Sequence, residues 1–377
     1  MNAIIQAMDV FYNVYFFFLI SIVLLLIPLI FYSDFENKYA RSYDNMLSGY
    51  IVLGSIALFG LRGWDIGTDT AHYVKMFFKM SNFSQLSNAI NHGPLAPKDP
   101  GFSLLLFYAE KYLNLRIFFI MVATLFVIPL YIAIRRMATI NRSVMLFGFA
   151  CFYYFPLLGI NVIRQGLCLS FVILAFTILK NWSLKNFLIF LLLVLIGLSF
   201  HISGVIVVVF YFIARLIRIN SLYYVVLAIT AVLARMSLGL VNLPIIGPMI
   251  ALNDRIDAYS AGLGTQPPSG LQLSKIVYHS AVFFWAYYNL NKLNDSFYNH
   301  IFRLFIALTS FYFLCLNMSY SDRFGVLSWI LTPILIGYPM VNYKGIVSKP
   351  SLSLTGQYFI FMTYSAYVFI LLRPYLK

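Results

Sequence analysis

The chain has 377 residues, of which 62% are hydrophobic and only 10% charged, and its mean hydropathy is +0.85. A soluble domain carries about 25% charged residues, so this composition excludes a water-soluble enzyme. The net charge of +14 is spread over short loops without a basic stripe, which argues against nucleic acid as a partner.

Apolar runs of about 20 residues, the length of a membrane-spanning helix, recur along the whole chain. We therefore predict an all-α, polytopic transmembrane bundle of about 12 spans in a single integral membrane domain, residues 1–377. The predicted spans are 11–32, 46–61, 116–134, 143–160, 164–180, 185–200, 203–218, 222–241, 275–291, 302–318, 324–342 and 356–373. The piece 100–113 is too short to cross, and we expect it to be re-entrant or interfacial.

Two connections, 62–100 and 242–274, are long, and long loops in a compact fold are usually functional. Short basic connections, such as those with Arg135 and Arg215, follow the odd-numbered spans. Lysine and arginine favour the cytoplasmic side in short loops. We therefore predict that these loops are cytoplasmic, although the cation count is equal on both sides, and that the long loops lie outside.

Arginines stand at several span ends on that predicted outer side. They are Arg62, Arg164, Arg255 and Arg323. A single arginine at such a place fits a simple role, in which its long side chain reaches the head groups. A guanidinium also presents a planar fork suited to phosphate oxygens, so the set together predicts a phosphate or diphosphate site.

Helical spacing groups further polar residues with these arginines. Asn161, Arg164 and Gln165 lie three and four residues apart, so we expect them on one helix face. Arg255 and Tyr259, four apart in the second long loop, are expected to share a face for the same reason.

Three more positions have a structural and a functional interpretation. Asp322 and Arg323 either form a local ion pair or, because adjacent helical residues do not face each other, take separate partners. His201 is either a hydrogen-bonded structural residue or a base. Asp99 fits the N-cap of a helix with Pro100 at its first position, and this does not exclude a function for its carboxylate.

The first long loop opens with "LRGWDIGTDTAHYVKMF", and an apolar stripe at helical spacing follows Gly67. The stripe consists of Tyr73, Met76, Phe77 and Met80. It predicts a short helix lying in the membrane interface, with Asp69 at the N-terminus, where a carboxylate is favoured. Capping does not explain Asp65 and Arg62 beside it.

The motifs GxxxxGK[ST] and HExxH and a closely paired Asp-x-Asp are absent from the sequence. We therefore expect no cofactor, no metal site and no nucleotide-driven activity. Arginines can stabilise a departing diphosphate without a metal ion.

Five segments occur in the order and approximate spacing of the EpsG family, and the chain resembles that family over roughly 60–340. They are "RGWDIGTDTAHY", "KDPGFSLLLF", "NVIRQGLCLSFVILAF", "SFHISGVIVVV" and "DRFGVLSWILTPIL". These bacterial membrane proteins are similar to Wzy polysaccharide and O-antigen polymerases. Asp99 departs from the family, which more often has glutamate before Pro-Gly-Phe.

The resemblance implies a GT-C-like glycosyltransferase in the bacterial cytoplasmic (inner) membrane, with its site facing the periplasm or exterior. Such polymerases transfer a glycan from an undecaprenyl diphosphate donor to a lipid-linked acceptor repeat unit. The implied partners are this donor and acceptor and membrane lipids, with a chain-length regulator and a flippase as further candidates. The alternatives are an O-antigen ligase, another lipid-donor glycosyltransferase, or a transporter of lipid-linked glycans.

With this chemistry the four arginines become the predicted diphosphate ligands, Arg164 and Arg323 foremost. The acceptor hydroxyl needs a base within hydrogen-bond reach, and we nominate Asp69, with Asp65 and His201 as rivals. The predicted substrate-binding residues are Gln165, Asn161, Tyr73, Asp99, Tyr259 and Asp322.

Overall fold

The computed structural model describes residues 2–31, 38–96, 98–138, 141–240, 272–318 and 320–342. Within these ranges all regular structure is helical, which confirms the all-α prediction. Most of the second long loop, the last predicted span, Arg255 and Tyr259 lie outside the described residues. The chain forms two compact units, the first from Met1–Val205 and Gly337–Lys377 and the second from Ile206–Ile336. The single-domain membrane arrangement stays a prediction.

The first unit is built around a helix that is buried on every side. Its described helices are α1 (Asn2–Phe31), α2 (Lys38–Gly60), α3 (Thr70–Lys79), α4 (Leu86–His92), α5 (Pro100–Tyr112), α6 (Leu115–Met137), α7 (Arg142–Cys151), α8 (Tyr154–Ile160), α9 (Ile163–Ile178) and α10 (Leu184–Phe200). Helix α9 packs between α6 and α10, and α6 packs on α2, which contacts α1 and α7. Because α9 is apolar on all sides after its first turn, it takes the core position.

Helix α10 buries one stripe and exposes the other side. Its buried residues recur at spacings of three and four, from Phe190 to Phe200, while Leu192 and Leu195 are exposed. Gly197 lies on the buried stripe, where a Cβ would come 3.0 Å from the carbonyl oxygen of Cys168. Small residues permit such close helix packing. The exposed leucines suit a lipid-facing surface.

The short connection between α9 and α10 makes them antiparallel neighbours. The N-terminus of α9 and the C-terminus of α10 therefore lie at the same end of the pair. This places Arg164, in the first turn of α9, near His201, the residue that ends α10.

The segment predicted as one span over 143–160 is two helices, α7 and α8, bent by 78°. Phe152 ends α7 with extended backbone, φ -69° and ψ 121°. Pro156 follows four residues later, and a proline ring clashes with the carbonyl of residue i−4 in a continuous helix. In α8 this proline falls in the first turn, where no helical partner is lost. The segment 143–160 is therefore broken, and its crossing of the membrane as one span stays a prediction.

Helix α3 carries the predicted apolar stripe, but the stripe packs on protein. All four of its residues are buried. The ring of Phe77 lies 5.5 Å from that of Phe118 in α6, and the ring of Tyr73 lies 5.9 Å from that of Phe102 in α5. The stripe therefore faces protein and not lipid, since an apolar stripe has the same sequence pattern in either environment. The placement of the helix in the membrane interface stays a prediction.

The second unit is organised around a helix that is buried along most of its length. Its described helices are α11 (Gly204–Leu216, from Ile206 onward), α12 (Asn220–Arg235), α13 (Leu273–Leu293), α14 (Ser296–Leu314), α15 (Asp322–Trp329) and α16 (Thr332–Asn342, to Ile336). Helix α14 contacts α12, α13 and α15. Buried His279 of α13 is fully bonded: Nδ1 lies 2.7 Å from the Lys275 carbonyl oxygen, and Nε2 accepts from Trp329 Nε1 at 2.9 Å.

Three helical stretches of the described chain are long and apolar enough to cross a membrane: Asp9–Leu29, Leu115–Met137 and Asp322–Asn342. The bent pair α7–α8 would make a fourth, and shorter apolar helices such as α9 to α12 accompany them. These helices are those of a membrane protein. The count of about 12 spans and the GT-C arrangement stay predictions.

Buried Asp44 of α2 caps the N-terminus of α7 from a distance. Its carboxylate accepts from the backbone amides of Arg142 (3.1 Å) and Ser143 (3.0 Å) and from the Ser143 hydroxyl (2.6 Å).

We expect Asp44→Ala to lower the free energy of unfolding by about 2 kcal/mol, because buried donors lose their acceptor. The measurement is Tm in detergent. Asp65→Ala, which removes an exposed carboxylate, is the control, and equal losses in both variants would contradict this role.

Candidate functional site

Asp99 stands at the centre of a polar cluster in the first unit. It occupies the predicted N-cap position of α5, but its side chain makes no capping hydrogen bond. One carboxylate oxygen, Oδ2, pairs with Nη1 of Arg164, and the other, Oδ1, lies 3.5 Å from Nδ1 of His201. The Asp99 side chain is 3% exposed, whereas those of Arg164 and His201 are 24% and 27% exposed. A buried carboxylate thus holds a cation and an imidazole that both reach the surface of the unit.

The start of α5 is held close to the end of α10 by Gly101. A Cβ at this position would lie 2.8 Å from Cβ of Ser199, so only glycine permits the observed approach. Since Asp99 precedes α5 and His201 ends α10, this close contact sets the distance between the two side chains.

The electrostatic balance at Asp99 favours its charged form. Burial raises the pKa of the Asp99 carboxyl, but the nearby imidazole of His201 and the positive charge of Arg164 lower it by more, so that the net pKa lies below the usual range. A carboxylate facing Nδ1 favours the imidazole tautomer with its proton there. The other ring nitrogen, Nε2, is then left as the proton acceptor of neutral His201.

Arg62 is directed into the protein, where it joins two helix ends. Its Nη1 donates to the carbonyl of Phe59 in the last turn of α2, and Nη2 donates to the carbonyl of Ile160 at 3.3 Å. Its Cζ lies 4.4 Å from the ring centre of Phe119, and the residue is only 7% exposed. A cation suits the carbonyls at helix C-termini. Diphosphate binding by Arg62 stays a prediction, and its contacts support a positioning role.

Tyr73 fastens α3 to the junction between α8 and α9. Its hydroxyl donates to the carbonyl of Asn161 at 2.9 Å, and its side chain also interacts with Arg164. The predicted common face of Asn161, Arg164 and Gln165 is wrong, because the helix is interrupted after Asn161. Asn161 ends α8, whereas the other two belong to the first turn of α9, where Gln165 is buried.

The two aspartates nominated as bases lie on the segment between α2 and α3. Asp65 is exposed and Asp69 is half-buried. Asp69 holds the predicted N-cap position of α3, but its carboxylate makes no capping bond, and only its backbone carbonyl accepts, from the amides of His72 (3.0 Å) and Tyr73 (3.1 Å). Neither carboxylate forms an ion pair with any residue that the structure describes. Their catalytic roles stay predictions.

The remaining predicted site residues that the structure describes are Asp322 and Arg323, in the second unit. Oδ1 of Asp322 is 3.5 Å from Nζ of Lys275, and Cζ of Arg323 is 4.9 Å from the ring centre of Tyr320. The expectation of separate partners is confirmed, and the local ion pair is wrong. Tyr320 has a left-handed φ of 58°, an uncommon conformation for a bulky residue that often marks a functional turn. Sequence reasoning missed Lys275, since its partner is 47 residues away.

Comparison with known proteins identifies the family to which the chain belongs. The family model described as "EpsG family" matches residues 45–376. The chain belongs to the EpsG family. No curated protein and no solved structure matches it. The match confirms the resemblance and includes Arg62, Asp99, Arg164 and His201. Membership in the EpsG family, together with the apolar helices, indicates a membrane-bound, glycosyltransferase-like enzyme.

The packing of Gly101 gives a direct test of the cluster in this EpsG protein. We expect Gly101→Ala to lower activity by about 10- to 100-fold, because a small displacement of Asp99 misplaces the groups it holds. Alanine favours helices more than glycine does, so helix propensity would not explain a loss. Gly49→Ala, whose added Cβ would meet nothing within 4 Å, is the control. Equal activity of both variants and the unmodified protein would show that the close approach does not position the site.

Proposed function

We propose that this EpsG protein polymerises undecaprenyl-diphosphate-linked oligosaccharide repeat units into a surface polysaccharide such as O-antigen, capsule or exopolysaccharide. The observation that supports it most is the cluster of Arg164, Asp99 and His201, drawn from three separate segments. A glycosyl transfer from a lipid diphosphate requires a cationic group for the leaving group and a base for the acceptor. This cluster offers both in one place.

Arg164 is the proposed diphosphate ligand. Its side chain is partly exposed, and its guanidinium already pairs with an oxyanion, the Asp99 carboxylate. A guanidinium fork binds two phosphate oxygens side by side. In the proposed bound state, some N–H groups of the Arg164 guanidinium donate to the diphosphate, and the others stay paired with Asp99.

His201 is the proposed base, and Asp99 is the residue that orients it. The acceptor sugar hydroxyl gives its proton to Nε2 as its oxygen forms a bond to the anomeric carbon of the donor. The bond from that carbon to the diphosphate breaks, and the diphosphate leaves with the electron pair, stabilised by Arg164. Among the three nominated bases, His201 has contacts that fit this role, because a carboxylate that orients the base is a recurring arrangement in catalysis.

The setting of this chemistry in the membrane follows the predicted orientation. We propose that the cluster faces the periplasm or exterior of the bacterial cytoplasmic membrane. The exposed leucines of α10, the helix that His201 ends, give the lipid tail of the substrate an apolar surface near the cluster.

Reconstitution with a purified lipid-linked repeat unit tests the proposal. We expect the full chain in proteoliposomes to yield a ladder of glycans on a single lipid carrier, resolved by gel and mass spectrometry. Transfer of one glycan to a different acceptor would instead indicate a ligase. Movement of the lipid-linked unit across the bilayer without a new glycosidic bond would indicate a transporter, and either result would overturn the polymerase assignment.

A further inference from the structure

The second unit contains a group of basic side chains that the proposed reaction does not use. This basic cluster consists of Arg215, Arg218, His300 and Arg303. Arg215 lies in the last turn of α11 and Arg218 in the connection that follows, while His300 and Arg303 are three residues apart on one face of α14. The charges of all three arginines act on His300, so the four groups occupy one small region.

Arg303 is the buried arginine of the basic cluster. The residue is 8% exposed, and its Nε atom has no hydrogen-bond partner. No carboxylate among the described residues forms an ion pair with it. Its charged neighbour is a second cation, Arg218, and the Tyr223 hydroxyl is also within electrostatic range.

The backbone around the basic cluster is held in place by three tyrosine and histidine contacts. His300 Nε2 bonds to the carbonyl of Tyr211 at 2.8 Å, and the two rings stack with centres 4.3 Å apart, which joins α14 to α11. The Tyr223 hydroxyl donates to the carbonyl of Ile217 at 3.0 Å, which ties the start of α12 to the end of α11. The cations are therefore presented by a fixed frame.

A buried cation that faces other cations requires a compensating anion. Like charges at close range repel more strongly in surroundings that are poor in water, and a buried charge without a partner is costly. An exposed arginine such as Arg136 is explained by the positive-inside bias alone. That explanation does not suffice for Arg303, since the residue is 8% exposed and its Nε atom has no hydrogen-bond partner.

We propose that the basic cluster is a binding site for a phosphate-bearing anion, supplied by the head group of an anionic lipid or by free phosphate. Guanidinium forks match phosphate oxygens, and basic pockets between membrane helices on the cytoplasmic side bind such lipid head groups. The connection holding Arg218 is among those predicted to be cytoplasmic. This site is separate from the proposed reaction, and its test depends on binding alone.

Thermal unfolding of the full-length protein with defined probes tests this site, because a ligand that binds the folded state raises Tm. One arm compares nanodiscs of phosphatidylglycerol with nanodiscs of phosphatidylcholine. The other titrates inorganic phosphate in neutral detergent. We expect one of these anions to raise Tm of the unmodified protein, and Arg303→Met to weaken its apparent affinity about tenfold. The probe that raises Tm, phosphatidylglycerol or inorganic phosphate, identifies the source of the phosphate group.

Arg136→Met, which removes an exposed arginine from the end of α6, is the matched control and should respond like the unmodified protein. Arg218→Gln changes an exposed residue of the basic cluster and gives an independent reading if Arg303→Met does not fold. We expect it to weaken binding a few-fold. The proposal is overturned if neither anion raises Tm, or if the basic-cluster variants respond as strongly as the unmodified protein.

Discussion

Arg164→Lys is expected to lower the rate of glycan polymerisation by about 100-fold, the usual effect of removing one aligned donor from a developing anion. Lysine keeps the positive charge beside Asp99 but cannot offer two parallel N–H groups to the diphosphate. The charge that compensates the buried carboxylate is retained, so the variant should fold. The measurement is the initial rate of ladder formation in proteoliposomes, together with Tm.

Arg116→Lys is the matched control, since Arg116 is an exposed arginine in the first turn of α6. It should polymerise at the normal rate. Chains of normal length formed at the normal rate by Arg164→Lys would show that the guanidinium fork has no part in binding the diphosphate.

His201→Gln is expected to lower the rate by about 100- to 1,000-fold, because the acceptor hydroxyl loses its base. Asp99→Asn should cause a similar loss, since an amide does not hold the imidazole in the tautomer that a carboxylate favours. The double variant should be hardly slower than either single variant, because residues that act as a unit have non-additive effects.

The steady-state constants separate catalysis from structure in this pair. His201→Gln should lower kcat with little change in KM for the lipid-linked unit, because a base acts in the transition state and does not bind the substrate. His92→Gln, which changes an exposed histidine, is the control and should keep both constants of the unmodified protein. Additive losses in the double variant, or a raised KM with unchanged kcat in His201→Gln, would contradict the assignment of His201 as the base.

Helix positions were predictable from sequence because long apolar runs end at polar residues. The expected spans 116–134 and 185–200 agree closely with α6 and α10. The break between α7 and α8 was also present in the sequence, as Pro156, but the apolar character of its surroundings concealed it. Whether a helix faces lipid or protein was harder to predict from sequence, because the apolar stripe of α3 would have the same pattern in either environment.

The composition of the site was predictable only in part. The sequence marks Arg164 and His201 as polar residues at span ends and Asp99 as the N-cap of the short segment 100–113. It nevertheless assigns Asp99 to substrate binding and ranks His201 behind Asp69. Their meeting joins residues 65 positions apart in the case of Arg164 and Asp99. No spacing rule reports such a contact, because it depends on how α5, α9 and α10 pack.

Arg62 illustrates the limit of reasoning from residue type. A guanidinium that suits phosphate oxygens also suits the carbonyls that end a helix, and in this protein Arg62 bonds to two of them. Sequence alone did not reveal that the ends of α2 and α8 would lie within reach of one side chain.

An experimental structure of the protein with undecaprenyl diphosphate bound is the most direct test of the central claim, that Arg164, Asp99 and His201 form the reaction site. We expect phosphate oxygens within hydrogen-bond distance of the Arg164 guanidinium, with the imidazole of His201 beside the ligand and still facing Asp99. A diphosphate held elsewhere, with Arg164 paired to Asp99 alone, would contradict it.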